Sequence, residues 1–148
     1  MIKICCGLGH RTILENIEDR LYSTVLKAIE EGFEIFYTGA MGEFDSLFSS
    51  AVRKAKTMHP HIKLICVKPY FSNKINTSKA YYSAFYDDIL IPPEIIGIHY
   101  KAAIKARNRW MVDNSNLIIS YVIHSNGGAA DAFKYAIRQD KQIINLAK

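Results

Sequence analysis

The sequence predicts an α/β fold: one doubly wound domain, a mostly parallel sheet with helices on both faces. Three observations lead there. Apolar strand-like runs alternate with helix-spaced runs along the whole chain. The strand-like runs read as buried strands, and right-handed crossovers between them make the sheet parallel. Three of them leave through glycine-bearing loops, Gly7 with Gly9, Gly39 with Gly42, and Gly127 with Gly128. At 148 residues, 49% hydrophobic and 22% charged, the chain suits one domain, residues 1–148, with a sizeable core.

In order, Ile2 to Cys6 reads as the first strand and Gly7 to Arg11 as its exit loop. Thr12 and Glu15 have capping-box spacing ahead of Leu14, Ile17, Leu21, Val25 and Ile29, and Gly32 ends that helix. Glu34 to Thr38 is the second strand, Glu43 to Lys56 the second helix, and Ile62 to Val67 the third strand, closed by Pro69. The stretch from Tyr70 to Tyr100 holds Tyr81, Tyr82, Phe85 and Tyr86 on a helix, then a short strand near Asp88 to Ile91. Aromatics this dense suit a lid, a subunit interface or ordinary core packing. A helix over Lys101 to Asn114, a strand over Leu117 to Ile123, a helix over Ala132 to Asp140 and a strand over Gln142 to Leu146 complete the pattern.

The formal charge of +5 is modest and its Lys and Arg residues are dispersed, so nucleic acid is disfavoured as a partner and an anionic small molecule fits as well. Cys5, Cys6 and Cys66 are odd in number and lie in apolar runs, as reduced core thiols do. No metal site is expected: His59 and His61 flank Pro60 without further ligands in reach. No apolar run approaches the roughly 20 residues of a membrane span, which sets the expectation of a soluble, cytoplasmic protein with no membrane partner.

A buried strand that ends in paired glycines and turns into a helix presents unblocked N–H groups, which hold phosphate without a cationic side chain. Gly127 and Gly128 fit that description, and the same two residues also suit a plain tight turn. In a parallel sheet all strand exits share one edge, where open α/β folds bind ligands. A dinucleotide site wants G-x-G-x-x-G, yet Thr12 stands where its third glycine belongs and the second strand ends in Tyr37-Thr38 without an acid, so no NAD cofactor is expected. A Walker P-loop and a Ser nucleophile elbow are absent. Arg11 and Arg107 are fork donors suited to phosphate, His10 donates beside them, and Asn108 suits a ribose or base edge. Asp45, in the first turn of its helix, complements the macrodipole or accepts from ribose hydroxyls; Asp113 suits a helix-to-strand turn.

Gly9-His10-Arg11, the run from Tyr37 through Thr38, Gly39 and Gly42 to Asp45, the run Arg107 to Asp113, and Gly127-Gly128 followed by Tyr135-Ala136 together resemble the YpsA-type branch of the SLOG superfamily. That superfamily groups Rossmann-like proteins related to DprA and to the LOG phosphoribohydrolases. The resemblance covers nearly the whole chain. It implies a pocket for a nucleotide or nucleotide-derived ligand, ADP-ribose-like signals among them, in a homo-oligomer. It also implies ligand contacts at Gly9, His10 and Arg11, at Gly39, Gly42 and Asp45, at Arg107, Asn108 and Asp113, and at Gly127 and Gly128.

Departures from the family bear on catalysis. LOG-type enzymes look like P-G-G-x-G-T-x-x-E; here Asn126, Ala130, Asp131 and Lys134 stand at the proline, the later glycine, the threonine and the catalytic glutamate. No catalytic residue is therefore assigned. Ala129 replaces the threonine usual in the YpsA branch, a loss of about 1.5–3 kcal/mol of phosphate binding unless Ser125 or Asn126 compensates. The leading expectation is a binding protein for a nucleotide-type ligand. The alternatives are a hydrolase of N-glycosidic bonds using Asp45, Asp113 or Asp131, and, last, a DprA-like binder of single-stranded nucleic acid.

Overall fold

The structure, a computed structural model, describes residues 1–71 and 79–148. Strands β1 (Lys3–Gly9), β2 (Phe33–Thr38), β3 (Lys63–Val67), β4 (Asp88–Leu90), β5 (Leu117–Tyr121) and β6 (Gln142–Asn145) form one sheet in the order β4-β3-β2-β1-β5-β6. Every pairing is parallel. Helices α1 (Glu18–Glu30), α2 (Glu43–Lys56), α3 (Lys79–Phe85), α4 (Tyr100–Asp113) and α5 (Gly128–Arg138) supply the crossovers, with a 3-10 turn at Pro93–Ile95. Strand order reverses between β1 and β5, the topological switch point of a doubly wound sheet.

Each helix buries a stripe against the sheet. On one face Leu21, Val25 and Ile29 of α1 and Phe44, Phe48 and Val52 of α2 pack with Phe36, Leu64 and Ile119 of the strands. On the other, Met111 and Val112 of α4 and Ala132 and Ala136 of α5 pack with Cys6, Tyr37 and Ile118. Central strands therefore bury both faces, which is why β5 is buried along its whole length. Cys5, Cys6 and Cys66 are buried free thiols, and burial pushes their pKa values up, which favours the thiol form.

The fold departs from the sequence reading at four places. β1 runs on to Gly9, so Gly7 is a strand residue and not part of a loop. Helix α1 begins at Glu18 and its cap makes no side-chain hydrogen bond; Glu15 instead pairs with Arg20 at 2.8 Å and accepts from the Tyr121 hydroxyl at 3.0 Å. Helix α5 begins at Gly128, earlier than expected, because Gly127 caps it and Gly128 and two alanines form its first turn. The aromatic helix α3 buries none of its residues, with Tyr81 56% and Phe85 39% exposed, while Tyr86 just after it packs against the core. The part of that stretch at 72–78 lies outside the described residues. No helix among the described residues is long and apolar enough to cross a membrane.

Candidate functional site

Two helices, α2 and α5, start on glycines in the left-handed region, Gly42 at φ +92° and Gly127 at φ +99°, and neither has a side-chain cap. Their N-termini differ in what they do with their free amides. At α2 the N–H groups of Glu43 and Phe44 donate to the carbonyls of Arg11 and His10, at 2.9 and 3.3 Å, so the β1 exit loop plugs that terminus. The approach is close enough that a Cβ on Gly42 would stand 2.7 Å from Arg11 Cα. At α5 the amides of Gly128, Ala129 and Ala130 have no acceptor among the described residues, and nothing lies within 4 Å of where a Cβ on Gly127 or Gly128 would be. Gly128 and Ala129, at the positive end of the helix dipole, line a cavity, while Ala130 behind them is buried.

The cavity, about 450 Å³, opens at the β1/β5 switch point. From β1 and its exit come Leu8, Gly9, His10 and Arg11; from the loop and first turn of α2, Met41 and Asp45; from α4, Ile104, Arg107 and Asn108; from α5 and its cap, Gly127, Gly128 and Ala129. Gly9 lies under the α2 ring of Phe44, with room for no Cβ: one would sit 2.4 Å from Phe44 Cγ.

His10 spans the two strand exits. Its Nε2 accepts the N–H groups of Ile123 at 2.8 Å and His124 at 3.1 Å, and its backbone N–H donates to the Tyr121 carbonyl at 3.1 Å. With Nε2 accepting, the neutral ring carries its proton on Nδ1. Burial and the nearby His124 hold its pKa below the ordinary histidine value. Asp45 is 7% exposed; its Oδ2 accepts from Met41 N–H at 2.8 Å, while Oδ1 has no hydrogen-bond partner among the described residues. Burial raises its pKa to about 6, against the backbone hydrogen bond from Met41 and the positive charges of Arg107 and Arg11.

The two arginines have separate tasks. Arg11 is exposed, and its guanidinium makes no hydrogen bond or ion pair among the described residues. Arg107, expected as a phosphate donor, is 2% exposed and four of its five N–H donors are committed: Nη1 donates to the carbonyls of Gly39 (3.1 Å) and Val67 (2.8 Å), Nη2 to Met41 Sδ, and Nε to Asn108 Oδ1 (2.8 Å). Its planar fork ties the exits of β2 and β3 to α4. Gly39 fits against that guanidinium, not against the cavity.

Other expected site residues also sit elsewhere. Asp113 lies beyond the last turn of the cavity-facing part of α4; it accepts from the Tyr135 hydroxyl at 2.8 Å, beside Lys141 at the start of β6, which is the strand-entry edge and the far side from the cavity. Thr38 is fully buried, its Oγ1 accepting from Ala40 N–H. Gly7 packs on the Phe48 ring. Ser125 is exposed, its carbonyl accepting from Lys134 Nζ at 2.6 Å. Of the three carboxylates weighed for hydrolysis, Asp45 alone lines this cavity, and Asp131 is ion-paired with Arg109 at 3.2 Å. Leu8, Met41 and Ile104 were not expected, since apolar lining carries no motif.

The chain matches no protein-family model and no curated protein. Its backbone does match solved structures: DNA processing protein A (DprA) from Streptococcus pneumoniae, at 14% identity with a TM-score of 0.63, over 96% of this chain and 49% of that one. DprA from Helicobacter pylori aligns at 15% identity with a TM-score of 0.66, over 95% of this chain and 63% of that one. This is the fold of DprA. The chain spans between about half and two thirds of the length of the two DprA proteins. The H. pylori DprA structure is described by its mode of binding single-stranded DNA. That finding overturns the expectation that disfavoured nucleic acid: it rested on the lack of a basic cluster, yet a protein of this fold binds single strands, and backbone amides need no such cluster.

Proposed function

We propose that the cleft binds single-stranded nucleic acid and holds one phosphate of the strand at the N-terminus of α5. The observation that carries this reading is the pair of acceptor-free amides at Gly128 and Ala129, which line the switch-point cavity. A phosphate there takes those amides, the dipole of α5, the Arg11 guanidinium and the Nδ1 proton of neutral His10. The DprA-like fold supports it. Contacts of this kind position a strand without reading its bases, so binding is tolerant of sequence.

A second reading, a free nucleotide or a derivative such as ADP-ribose, is favoured by Asp45. An unpartnered carboxylate oxygen in the cavity repels phosphate but accepts from a ribose hydroxyl, and a cavity of about 450 Å³ suits one small ligand. Assignment to the YpsA-type branch, and the homo-oligomer it implies, rest on the four sequence motifs; light scattering tests the assembly.

Fluorescence anisotropy with a labelled single strand of about ten nucleotides separates the two readings. Binding is expected to weaken with salt, log K falling by about 0.7 per phosphate neutralised for each decade of salt. Saturable binding of a mononucleotide or ADP-ribose with none of the oligonucleotide contradicts the first reading and supports the second.

A further inference from the structure

We infer that the cleft holds a second anion subsite, so that its ligand bridges two adjacent phosphates of one strand; this rests on the reading of the first cavity given above. Beside that cavity lies another of about 320 Å³, sharing Ile104, Asn108, Gly127 and Gly128 with it and adding Lys101, Lys105 and Asp131. The N-terminus of α5 therefore forms a common wall, with one cavity on the β1 side and the other on the α4 side.

The side chain that points to a ligand across this wall is Asn108. It is 8% exposed and lines both cavities. Arg107 Nε–H donates to its Oδ1 at 2.8 Å, which fixes the amide so that Nδ2 is turned the other way; that NH₂ has no acceptor among the described residues. That amide therefore offers two donors to whatever enters between the two cavities. Two phosphates, one on each side, take one hydrogen each.

The charges of the second cavity suit a phosphate. Asp131 is its carboxylate, and both Arg109, at 3.2 Å, and Lys105, at 3.7 Å, reach it. One of those cations suffices to neutralise it. Lys105 is the looser, its side chain 60% exposed, and Lys101 is exposed without an ion-pair partner among the described residues. Lys101, Ile104, Lys105 and Asn108 fall at i, i+3, i+4 and i+7, one stripe of α4. Two lysine donors thus stand one helix turn apart beside the free amides, where the next phosphate of a strand arrives.

Calorimetric titration of the protein with a 5′-phosphorylated mononucleotide and the matching 5′-phosphorylated dinucleotide tests this. The dinucleotide is expected to bind about tenfold tighter, the effect of one added charge-assisted contact. In the double variant Lys101→Gln, Lys105→Gln the two ligands are expected to bind alike, with an unaltered thermal midpoint as the check on folding. Equal affinities in the unmodified protein, or a dinucleotide advantage that survives the double substitution, overturn the second subsite and leave the first cavity standing. Failure of both ligands to bind overturns both.

Discussion

The imidazole of His10 accepts two consecutive amides, those of Ile123 and His124, so the residue that leaves β1 holds the loop that leaves β5. The loop so held leads into Gly127 and the open end of α5. Protonation of Nε2 removes the acceptor for both amides. Because burial and His124 lower the pKa of His10 below 6.5, the folded state favours the neutral ring. Its contribution to stability is whole above pH 6.5 and is lost as pH falls through the lowered value. Thermal midpoints measured across that range are expected to fall more steeply toward acid in the unmodified protein than in His10→Ala.

Asp45 works in the opposite direction. Its pKa is raised from 3.8 to about 6, so the folded state holds the proton more tightly, and the carboxylate costs stability that grows as pH rises through that window and is constant above it. Asp45→Asn keeps an acceptor for Met41 N–H and removes the buried charge. It is expected to raise stability at pH 7.5 by about 1–3 kcal/mol, or several degrees, while weakening any ligand that donates a hydroxyl to Oδ1. A lower melting temperature for Asp45→Asn contradicts this.

Arg107 is expected to matter more for folding than for charge in the cleft. Arg107→Met leaves the carbonyls of Gly39 and Val67 without their donor, at a cost of about 2–4 kcal/mol. Arg107→Lys recovers only part of this, since one ammonium cannot meet two carbonyls and Asn108 in the geometry of a planar fork. Urea unfolding checks it: a lower midpoint with an unchanged slope is expected for both. Retention of the midpoint in Arg107→Met contradicts the bracing role.

The glycines separate into packing and binding positions. A Cβ on Gly9 meets Phe44, which argues for a loss of about 1–3 kcal/mol in Gly9→Ala. Gly128 has open space where its Cβ would be, so Gly128→Val is expected to leave the thermal midpoint within a few degrees and to abolish oligonucleotide binding by covering the amides. A collapse of folding in Gly128→Val shows the turn to be structural.

The element pattern was legible because parallel strands buried on both faces are continuous apolar runs; α2 matches its expected limits, Glu43 to Lys56. Helix starts were less so. Glu15 has the spacing of a capping box but is drawn to Arg20 and Tyr121, partners distant in sequence or loosely placed. Glycines at the start of α5 hid a helix that its later residues announced. Within the site, residue type revealed donors but not the direction they face. Arg107 and Arg11 read alike in sequence, and only the fold turns one toward carbonyls and the other toward the cleft. Asp113 was separable in principle: six residues after Arg107 on one helix, it is rotated by about 240° and displaced along the axis by about 9 Å. The stripe of Lys101, Lys105 and Asn108 was there to be found at helical spacing, and dispersed charge concealed it.

The most direct test is a titration of ¹⁵N-labelled protein with a short 5′-phosphorylated single strand, followed through the amide resonances of Gly128 and Ala129. Capture of a phosphate by these donors predicts large, saturable downfield shifts at both, lost in Gly128→Val and diminished by salt. Binding that leaves these two resonances in place, with shifts confined to another surface, contradicts phosphate capture at α5.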